Sequence, residues 1–263
     1  MLPFQYRIFP VFPQIKSFAI LNPERPFFIL IMTAANPANQ PSVWIVIPAY
    51  NEATIIQEVL HEILATGYTN ILLIDDGSTD DTAGKAREIE NVVVLRHMIN
   101  RGKGAAAKTG IEAAKLLGAD IVVTLDADGQ HNPSDIAPMI DLITHKNYDV
   151  VLGSRLQKCD GMPWYKIAHN RIGNFLVWMI YGLWVTDSQS GFRAYSEHAL
   201  HLIKTRTDRY EYDSEVIYEI ARHKLRYIEI PIEVRYTAYS MGKQHKMNLK
   251  TGIKMLAKML LYD

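Results

Sequence analysis

The sequence lacks the features that mark several large classes of protein. Among its 263 residues there is one cysteine, Cys159, so it can form no intramolecular disulfide and no cysteine-based zinc cluster. Its 28 basic and 28 acidic residues give a formal net charge of zero, so the chain lacks the net positive charge that is typical of nucleic-acid-binding proteins. These absences favour a globular protein of a reducing compartment, and we predict a cytoplasmic location with no nucleic-acid partner.

Long apolar runs are also missing. The stretches Pro26–Met32 and Phe175–Val185 are too short to span a bilayer, which needs about 20 apolar residues. The N-terminal region has neither the long apolar core nor the small-residue cleavage site of a secretory signal. Residues 1–40 contain six prolines and no clear periodicity, so we predict a poorly ordered extension and consider Met32 as an alternative start.

From Val43 onward the chain alternates strand-like and helix-like segments. This rhythm predicts an α/β fold with a mostly parallel sheet flanked by helices, filling residues 41–240. The predicted strands are Val43–Ile47, Ile71–Ile74, Val92–Arg96, Ile121–Leu125, Val150–Gly153 and one or two strands in Leu225–Tyr236. The predicted helices are Glu52–Ala65, Thr79–Glu90, Gly102–Leu117, Pro133–Lys146, Trp164–Val185 and Ser214–Lys224.

The most informative segment is the end of the fourth predicted strand, where apolar residues run into Asp126-Ala127-Asp128. Two carboxylates separated by one residue can hold Mg²⁺ or Mn²⁺, whose remaining ligands usually come from water and substrate phosphates. The alternative is a polar turn that caps a helix, because Asp-Gly is typical of turns. Of the nine histidines, His131 is the one that follows this segment, and we single it out as a candidate for the same site.

Three further polar clusters follow the first three predicted strands. They are Pro48-Ala49-Tyr50-Asn51-Glu52, Asp75-Asp76-Gly77-Ser78-Thr79-Asp80 and Asn100-Arg101-Gly102-Lys103-Gly104. In an open parallel sheet such clusters meet in one crevice at the carboxyl edge, where ligands bind. The third cluster offers two cations at a helix start, suited to a diphosphate, although a solvated basic loop remains an alternative. It lacks the spacing of a P-loop.

Taken together, these segments resemble the family-2 inverting glycosyltransferases. The resemblance spans about Val43 to Tyr236 and is strongest to the branch that includes dolichol- and polyprenyl-phosphate mannosyltransferases. It implies a GT-A fold, a nucleoside-diphosphate sugar as donor, a divalent cation and a polyprenyl-phosphate acceptor. The segments that carry it are VIPAYNE, DDGSTD, NRGKGAA, DADGQH, GSR and DSQSGFR.

The resemblance also implies roles on the donor side. The first cluster, from Pro48 through Tyr50 to Glu52, would contact the nucleoside together with Asp75 or Asp76. Asp126 would lie near the ribose and the cation, and Asp128 would be the principal metal ligand. The cation would neutralise charge on the leaving diphosphate, with Lys103 adding to that effect.

On the acceptor side, Gly153-Ser154-Arg155 and Asp187–Arg193 match the family. Arg155 and Arg193 are candidates for gripping an acceptor phosphate, because a planar guanidinium suits phosphate oxygens. A further basic residue is expected on the following helix, where Lys166 and Arg171 are both candidates. Residues 240–245 depart from the Gly-x-Ser-Lys pattern of the mannosyltransferases, so the resemblance does not carry over the identity of the donor.

The need for a base depends on the acceptor. A sugar hydroxyl would require a carboxylate to take its proton, and Asp187, Glu211 and Asp213 are the candidates. A lipid phosphate is already anionic and needs no base. Each of the three carboxylates also has a purely structural interpretation.

The C-terminal segment Met247–Leu261 is predicted to be a basic amphipathic helix, within an appendage covering residues 241–263. Lysines at positions 246, 250, 254 and 258 recur every four residues, and leucines and an isoleucine cluster on another side. That pattern is typical of a helix lying on an anionic membrane, here through residues 243–261, although docking on the domain is an alternative.

We therefore predict an enzyme that moves a hexose from a nucleoside-diphosphate sugar to a polyprenyl phosphate with inversion. A peripheral position on the cytoplasmic face of a membrane is consistent with this acceptor. The alternatives are transfer to a glycan or small-molecule hydroxyl, and a non-catalytic membrane-associated scaffold of the same fold. A sugar-phosphate nucleotidyltransferase is disfavoured, because its glycine-rich signature is replaced here by Tyr50-Asn51-Glu52.

Overall fold

A computed structural model describes residues 40–157, 164–209, 211–235 and Tyr239; for residues 164–170 and Leu176 it describes only the backbone. The predicted N-terminal extension, the 240–245 segment and the predicted C-terminal helix therefore lie outside the described residues. Within the described part of the chain, no helix has both the length and the apolar character needed to cross a bilayer.

The fold is a seven-stranded mixed sheet with helices on both faces. The strands are β1 Val43–Ala49, β2 Ile71–Asp75, β3 Val92–Arg96, β4 Ile121–Thr124, β5 Val150–Ser154, β6 Arg193–Ser196 and β7 Tyr227–Pro231, in the order β3-β2-β1-β4-β6-β5-β7. The helices are α1 Ile56–Ala65, α2 Thr82–Arg87, α3 Lys103–Leu116, α4 Ile136–Lys146, α5 Trp164–Tyr181, α6 Glu197–Leu202 and α7 Glu211–Arg222, with a short 3₁₀ turn Pro133–Asp135 before α4.

The strands are apolar on both sides, so the sheet has two buried faces. In β1, Trp44 and Val46 pack with alanines of α3 and with residues of α5, α6 and α7. The alternate residues Ile45 and Ile47 pack against α1, α2 and α4. Because both faces are covered, ligands can reach the sheet only at its ends, and the polar loops lie at the carboxyl end.

The first strand extends through Pro48, two residues beyond the predicted end. Pro48 tolerates this position because β4 pairs with β1 only as far as Val46. The N–H of Ile45 donates toward the β2 side, so the nitrogen of Pro48, three residues on, faces the side where β4 has already ended. Its missing N–H therefore removes no ladder hydrogen bond.

The prediction of the second half was incomplete. It missed β6, which runs antiparallel to both β4 and β5, and it missed the short helix α6. The helix α7 begins at Glu211, three residues earlier than predicted, and α5 ends at Tyr181 because Gly182 adopts a φ of +72°. Since β6 is antiparallel, the segment preceding it arrives at the same sheet edge as the loops leaving the parallel strands.

Candidate active site

The loops after β1 and β2 are locked to each other. Asn51 has a φ of +56°, and its side-chain oxygen accepts hydrogen bonds from Thr79 N–H at 2.8 Å and Thr79 Oγ1 at 3.2 Å. The Ser78 hydroxyl oxygen in turn accepts from Asn51 N–H. These bonds delay the starts of α1 and α2 by three or four residues relative to prediction, and they fix one wall of the crevice.

Asp75 lies at the base of that wall with its carboxylate buried. One oxygen, Oδ1, accepts from Ser78 N–H at 2.9 Å. The other, Oδ2, is buried and forms an ion pair with Arg96 Nε at 3.0 Å, and among the described residues it accepts no hydrogen bond. Near this wall, Tyr50 is 42% exposed, and Glu52 accepts from the Tyr239 hydroxyl at 2.8 Å. This group offers an aromatic face and acceptors to a ligand.

Asp76 differs from Asp75 because its carboxylate is already saturated. It accepts from His97 Nδ1 at 2.7 Å, from Arg101 N–H at 3.0 Å and from Gly102 N–H at 2.6 Å. The structure therefore gives Asp76 the task of shaping the loop between β3 and α3. Of the two predicted nucleoside contacts, Asp75 is the one with an oxygen, Oδ2, that accepts no hydrogen bond among the described residues, although Arg96 is ion-paired with it.

The N-terminus of α3 is covered by the chain before α7. The Asp208 carbonyl accepts from Ala105 N–H at 3.0 Å, and the Asp208 side chain pairs with Lys108 at 2.6 Å and with Arg101 at 3.4 Å. The predicted diphosphate cradle is thus reduced, because Arg101 points to Asp208 and one helix N–H is already bonded. Lys103 is the cation of this cluster that faces the crevice.

Lys103 connects three elements. Its ammonium lies 2.8 Å from Asp126 Oδ1, after β4, and 3.6 Å from Asp213 Oδ2, in the first turn of α7. Burial by itself lowers the pKa of Lys103, but the charges of Asp126 and Asp213 outweigh it and raise that pKa above its usual range. Lys103 is therefore a permanent cation between two carboxylates.

The two acids around Lys103 respond differently. Burial favours the neutral form of Asp126, but the Lys103 charge and a hydrogen bond from His131 hold the pKa of Asp126 well below its usual range. For Asp213 burial prevails, and Lys103 and Arg193 offset only part of it, so the pKa of Asp213 is raised. Asp126 thus stays ionised, while Asp213 has the greater affinity for a proton.

A glycine allows this arrangement. A Cβ atom at Gly191 would lie 2.6 Å from Asp126 Oδ1 and closer still to Lys103 Nζ. The backbone here is held by Thr124, whose hydroxyl donates to the Gly191 carbonyl at 2.7 Å. The segment leading into β6 therefore lies directly against the Lys103–Asp126 pair.

Asp128 is the second carboxylate of the Asp-x-Asp segment. In the described structure it accepts one hydrogen bond, from Gln130 N–H at 3.1 Å. Burial and the neighbouring charge of Asp126 raise the pKa of Asp128. His131 is 4% exposed, with its Nε2 3.3 Å from Asp126 Oδ2 and its ring 5.1 Å from that of Phe192.

These donors fit a divalent cation. Asp126 and Asp128 offer hard oxygen atoms, and the pKa of Asp128 is raised by burial and by the neighbouring charge of Asp126, both of which a bound cation would offset. Among the described residues, no group of three or more histidines, cysteines or acids surrounds a single point. A Mg²⁺ or Mn²⁺ ion here would therefore take its remaining ligands from phosphate oxygens and water, as such ions usually do.

Arg193 occupies a different position from the acceptor-facing one that we predicted. It is 1% exposed, and its guanidinium donates to the carbonyls of Ser190, Ser188 and Asp213 at 2.8, 2.9 and 3.0 Å. A side chain buried in this way braces the loop before β6 against α7. It therefore sets the position of Asp213 and does not reach the surface.

Arg155 and Asp187 form a two-pronged ion pair. Arg155 Nε and Nη2 donate to the two oxygens of Asp187 at 2.7 and 2.8 Å, and Arg155 N–H donates to Oδ2 at 3.0 Å. Burial raises the pKa of Asp187, but Arg155 outweighs it and lowers that pKa. Since Asp187 is fully ion-paired, the geometry disfavours it as a base, whereas the partly exposed Arg155 lies at the crevice.

Two residues outside the predicted set hold this loop. Asn174, on the buried side of α5, accepts from Ser188 N–H and Oγ at 3.0 and 2.8 Å. Glu229, in β7, accepts from Thr186 N–H at 2.8 Å and from Asp187 N–H at 3.2 Å. In the sequence, Asn174 stands out only as a polar residue in an apolar helix, and Glu229 only as an acid in an apolar strand. Neither feature alone predicts which backbone groups the side chain binds.

The chain is similar in sequence to known proteins. The family model described as glycosyl transferase family 2 matches residues 44–203. An uncharacterised protein of Methanocaldococcus jannaschii is 40% identical over 86% of this chain and 94% of its own length. The UDP-N-acetylglucosamine–dolichyl-phosphate N-acetylglucosaminyltransferase of Methanococcus voltae is 37% identical over 83% of this chain and 95% of its own.

Solved structures share the fold at lower identity. Glucosyl-3-phosphoglycerate synthase from Mycobacterium tuberculosis, in complex with phosphoglyceric acid, has a TM-score of 0.62 at 20% identity, covering 83% of this chain and 80% of that one. The same enzyme in complex with Mn²⁺, UDP-glucose and phosphoglyceric acid has a TM-score of 0.61 at 20% identity, covering 85% and 81%. The predicted GT-A architecture is confirmed.

Proposed function

Because the chain belongs to glycosyltransferase family 2 and is a glycosyltransferase, we propose that it transfers a hexosyl group from a nucleoside-diphosphate sugar to a polyprenyl phosphate, with a divalent cation. The observation that carries the proposal is the meeting of Asp126, Asp128 and Lys103 at the carboxyl edge of the sheet. That corner supplies oxygen ligands for a cation and a fixed positive charge.

On the donor side, Asp75 and Tyr50 would receive the nucleoside, with Pro48 and Glu52 completing the wall. Asp75 Oδ2 is buried against Arg96, so an N–H group of a base would have to displace Arg96 to bind it, and the exposed ring of Tyr50 offers a stacking surface. Since the relative from Methanococcus voltae is named for UDP-N-acetylglucosamine, that sugar nucleotide is the first donor to test.

Charge on the leaving diphosphate would be neutralised by the cation at Asp126 and Asp128. Lys103 would contribute a second, permanent positive charge, because its pKa lies above its usual range. Gly191 keeps the segment before β6 close enough to close this corner. Lys103 and the cation held by Asp126 and Asp128 would stabilise the developing charge without moving during the reaction.

For the acceptor, a phosphate fits better than a hydroxyl. A lipid phosphate is already an anionic nucleophile, and of the candidate bases Asp187 is committed to Arg155. The partly exposed Arg155 would attract the acceptor phosphate, and Asp187 would orient its guanidinium. The names of relatives that act on dolichyl and polyprenol acceptors support the same class of acceptor.

Transfer to a hydroxyl is a second candidate, favoured by the raised pKa of Asp213, which a general base requires. The two candidates differ in one variant. If Asp213 is a base, Asp213→Asn abolishes the rise of rate with pH that deprotonation of Asp213 produces. If the acceptor is a phosphate, deprotonation of Asp213 produces no rise of rate with pH, and Asp213→Asn lowers the rate by a factor that does not change with pH.

The direct test is a transfer assay with labelled UDP-N-acetylglucosamine, a polyprenyl phosphate and Mn²⁺. We expect a labelled lipid product with the wild type and a loss of about 10²-fold or more with Asp128→Asn, because the principal ligand is removed. The matched control is Asp141→Asn, an exposed acid on α4. Equal rates for wild type and Asp128→Asn would refute the assigned metal corner.

A further inference from the structure

From Ile172 to Met179, among the residues of α5 whose side chains the structure describes, the outward side is mostly apolar, the reverse of what a helix on a protein surface usually shows. Ile172 is 62% exposed, Phe175 48%, Trp178 42% and Met179 61%, and just beyond the helix Trp184 is 54% exposed. We refer to these five residues as the aromatic face. Its rings are in contact, because the Phe175 and Trp178 centroids are 5.6 Å apart and those of Trp178 and Trp184 are 5.9 Å apart.

The helical members of the aromatic face form one continuous strip. At about 100° per residue, Ile172, Phe175, Trp178 and Met179 fall within about 120° of the helix circumference. The buried residues Asn174 and Val177 lie outside this arc, at 3% exposure each. A contiguous exposed strip of this composition marks an interaction surface, whereas isolated exposed apolar residues do not.

The charge of α5 indicates what the strip contacts. The helix contains Lys166 and Arg171 and no acidic residue. Arg171 is exposed and falls within the same arc as the aromatic face. Tryptophan, phenylalanine and aliphatic side chains next to a basic residue are typical of helices that lie in the headgroup region of a membrane with anionic lipids.

The inward side of the same helix carries the acceptor-side loop. Asn174 holds Ser188 through its N–H and hydroxyl, and Asp187 next to it pairs with Arg155. Tyr227, at the start of β7, donates its hydroxyl to the Trp184 carbonyl at 3.2 Å, which ties the far end of the aromatic face to the sheet. The outer surface and the proposed phosphate site are therefore two sides of one rigid unit.

We infer that the aromatic face of α5 lies in the interfacial region of a lipid bilayer that contains anionic lipid, and that it holds Arg155 at the level of the acceptor's phosphate. The orientation rests on the proposed function, since only a lipid-linked acceptor requires it. The membrane contact itself rests on the exposed residues and their charge. It is independent of the predicted C-terminal helix.

The first test is flotation with vesicles made of equal parts phosphatidylcholine and phosphatidylglycerol. We expect the wild type to float, and the double variant Phe175→Ser/Met179→Ser to bind about tenfold or more weakly, because two interfacial apolar side chains are removed. The matched control is Leu116→Ser, an equally exposed apolar residue at the end of α3, which should float like the wild type. Equal flotation of the double variant and the wild type would overturn the inference.

A second measurement separates a membrane from the other possible occupants of the aromatic face. The fluorescence of Trp178 and Trp184 is the difference between the emission of the wild type and that of the double variant Trp178→Phe/Trp184→Phe. In lipid-free protein we expect acrylamide to quench this fluorescence at every protein concentration. Shielding of these tryptophans that is independent of concentration would mean that the chain itself covers the face. Shielding that grows with concentration would mean that a second copy covers it, and either result would overturn the inference.

Transfer assays distinguish failure of this inference from failure of the proposed function. We expect Phe175→Ser/Met179→Ser to keep wild-type activity on a water-soluble acceptor of one or two isoprene units, and to lose about tenfold on a vesicle-embedded acceptor. Equal activity of the variant on both would refute the membrane contact alone. Absence of transfer by the wild type to either acceptor would refute the proposed function, while flotation would still report on the face.

Discussion

At the scale of single residues, the ion pair between Lys103 and Asp126 is shaped by the absence of a side chain at Gly191. A β-carbon there would lie 2.6 Å from Asp126 Oδ1, a separation that real structures do not tolerate. The Thr124 hydroxyl fixes the backbone at this point, so the loop cannot easily retreat. The pair must therefore move if the glycine is replaced.

We predict that Gly191→Ala lowers kcat by about 10²-fold, because misplacing a charged group by about an ångström has effects of that size. The loss should exceed any loss in thermal stability, and steady-state kinetics with thermal unfolding would measure both. The matched control is Gly173→Ala on α5, where a β-carbon meets no atom of the described residues within 4 Å. Equal kinetics in the two variants would contradict the role given to Gly191.

The Arg155–Asp187 pair makes a prediction about stability and pH. The folded-state pKa of Asp187 is lowered, so the pair stabilises the fold above the unfolded pKa of about 3.9 and loses this effect as pH falls through the folded pKa. Replacing Asp187 by Asn should therefore cost about 3 kcal/mol near pH 7, since Arg155 is left without its partner. Urea unfolding of both proteins should show the difference shrinking from pH 5 toward pH 3; a constant difference would contradict the account.

Residue types near the sheet edge could be predicted from the sequence, but their tasks could not. Asp75 and Asp76 are neighbours of identical chemistry, and only the fold shows that Asp76 is saturated by His97 and the Arg101–Gly102 backbone. Likewise, the sequence predicts Arg193 as a cation that binds phosphate, and only the structure shows that it is buried against Ser190 and Asp213. Local sequence carries no information about these long-range partners.

At the scale of secondary structure, the alanine-rich helix α3 is explained by how closely it packs. A β-carbon at Gly104 would lie 2.6 Å from Tyr212 Cβ in α7, and one at Gly110 would meet Ile74 of β2. The missing side chains at Gly104 and Gly110 let α3 lie close to α7 and to the sheet. Lys103 and Asp213 are consequently close enough to interact, at 3.6 Å.

We predict that Gly104→Ala separates α3 from α7, destabilises the protein by about 1–3 kcal/mol and reduces activity, because overpacking at a tight contact forces backbone shifts. Chemical denaturation and transfer assays would measure the two effects. Glu112→Ala, on the exposed side of the same helix, should change neither by much, since its ion pair with Lys115 is at the surface. A Gly104→Ala protein as stable and active as Glu112→Ala would refute the close-packing argument.

Helices and strands with strong periodicity were predicted within a few residues, whereas short elements were missed. The four-residue strand β6 follows a polar loop and has no alternating pattern long enough to register. Its antiparallel pairing with β4 is decided by the sheet, and it is this pairing that delivers residues 187–192 to the crevice. The acceptor side of the site therefore depended on an element that the sequence did not reveal.

At the scale of the whole molecule, the convergence of loops on one edge was predicted from the alternation of strands and helices, and the structure confirms the fold. The two covered faces of the sheet leave the carboxyl edge as the place for chemistry. Lys103, Asp126 and Asp213 come from three separate elements and meet at this edge, beside the proposed metal site. This assembly is what the proposed sugar transfer requires.

The central claim is that a nucleoside diphosphate and a divalent cation bind together at Asp126 and Asp128. The most direct measurement is the thermal unfolding of wild type and Asp128→Asn with UDP, in the presence and absence of Mn²⁺. We expect UDP to stabilise the wild type strongly only with Mn²⁺, and Asp128→Asn to remove the Mn²⁺-dependent part, as linkage between binding and folding requires. Stabilisation by UDP that is equal in both proteins and independent of Mn²⁺ would contradict it.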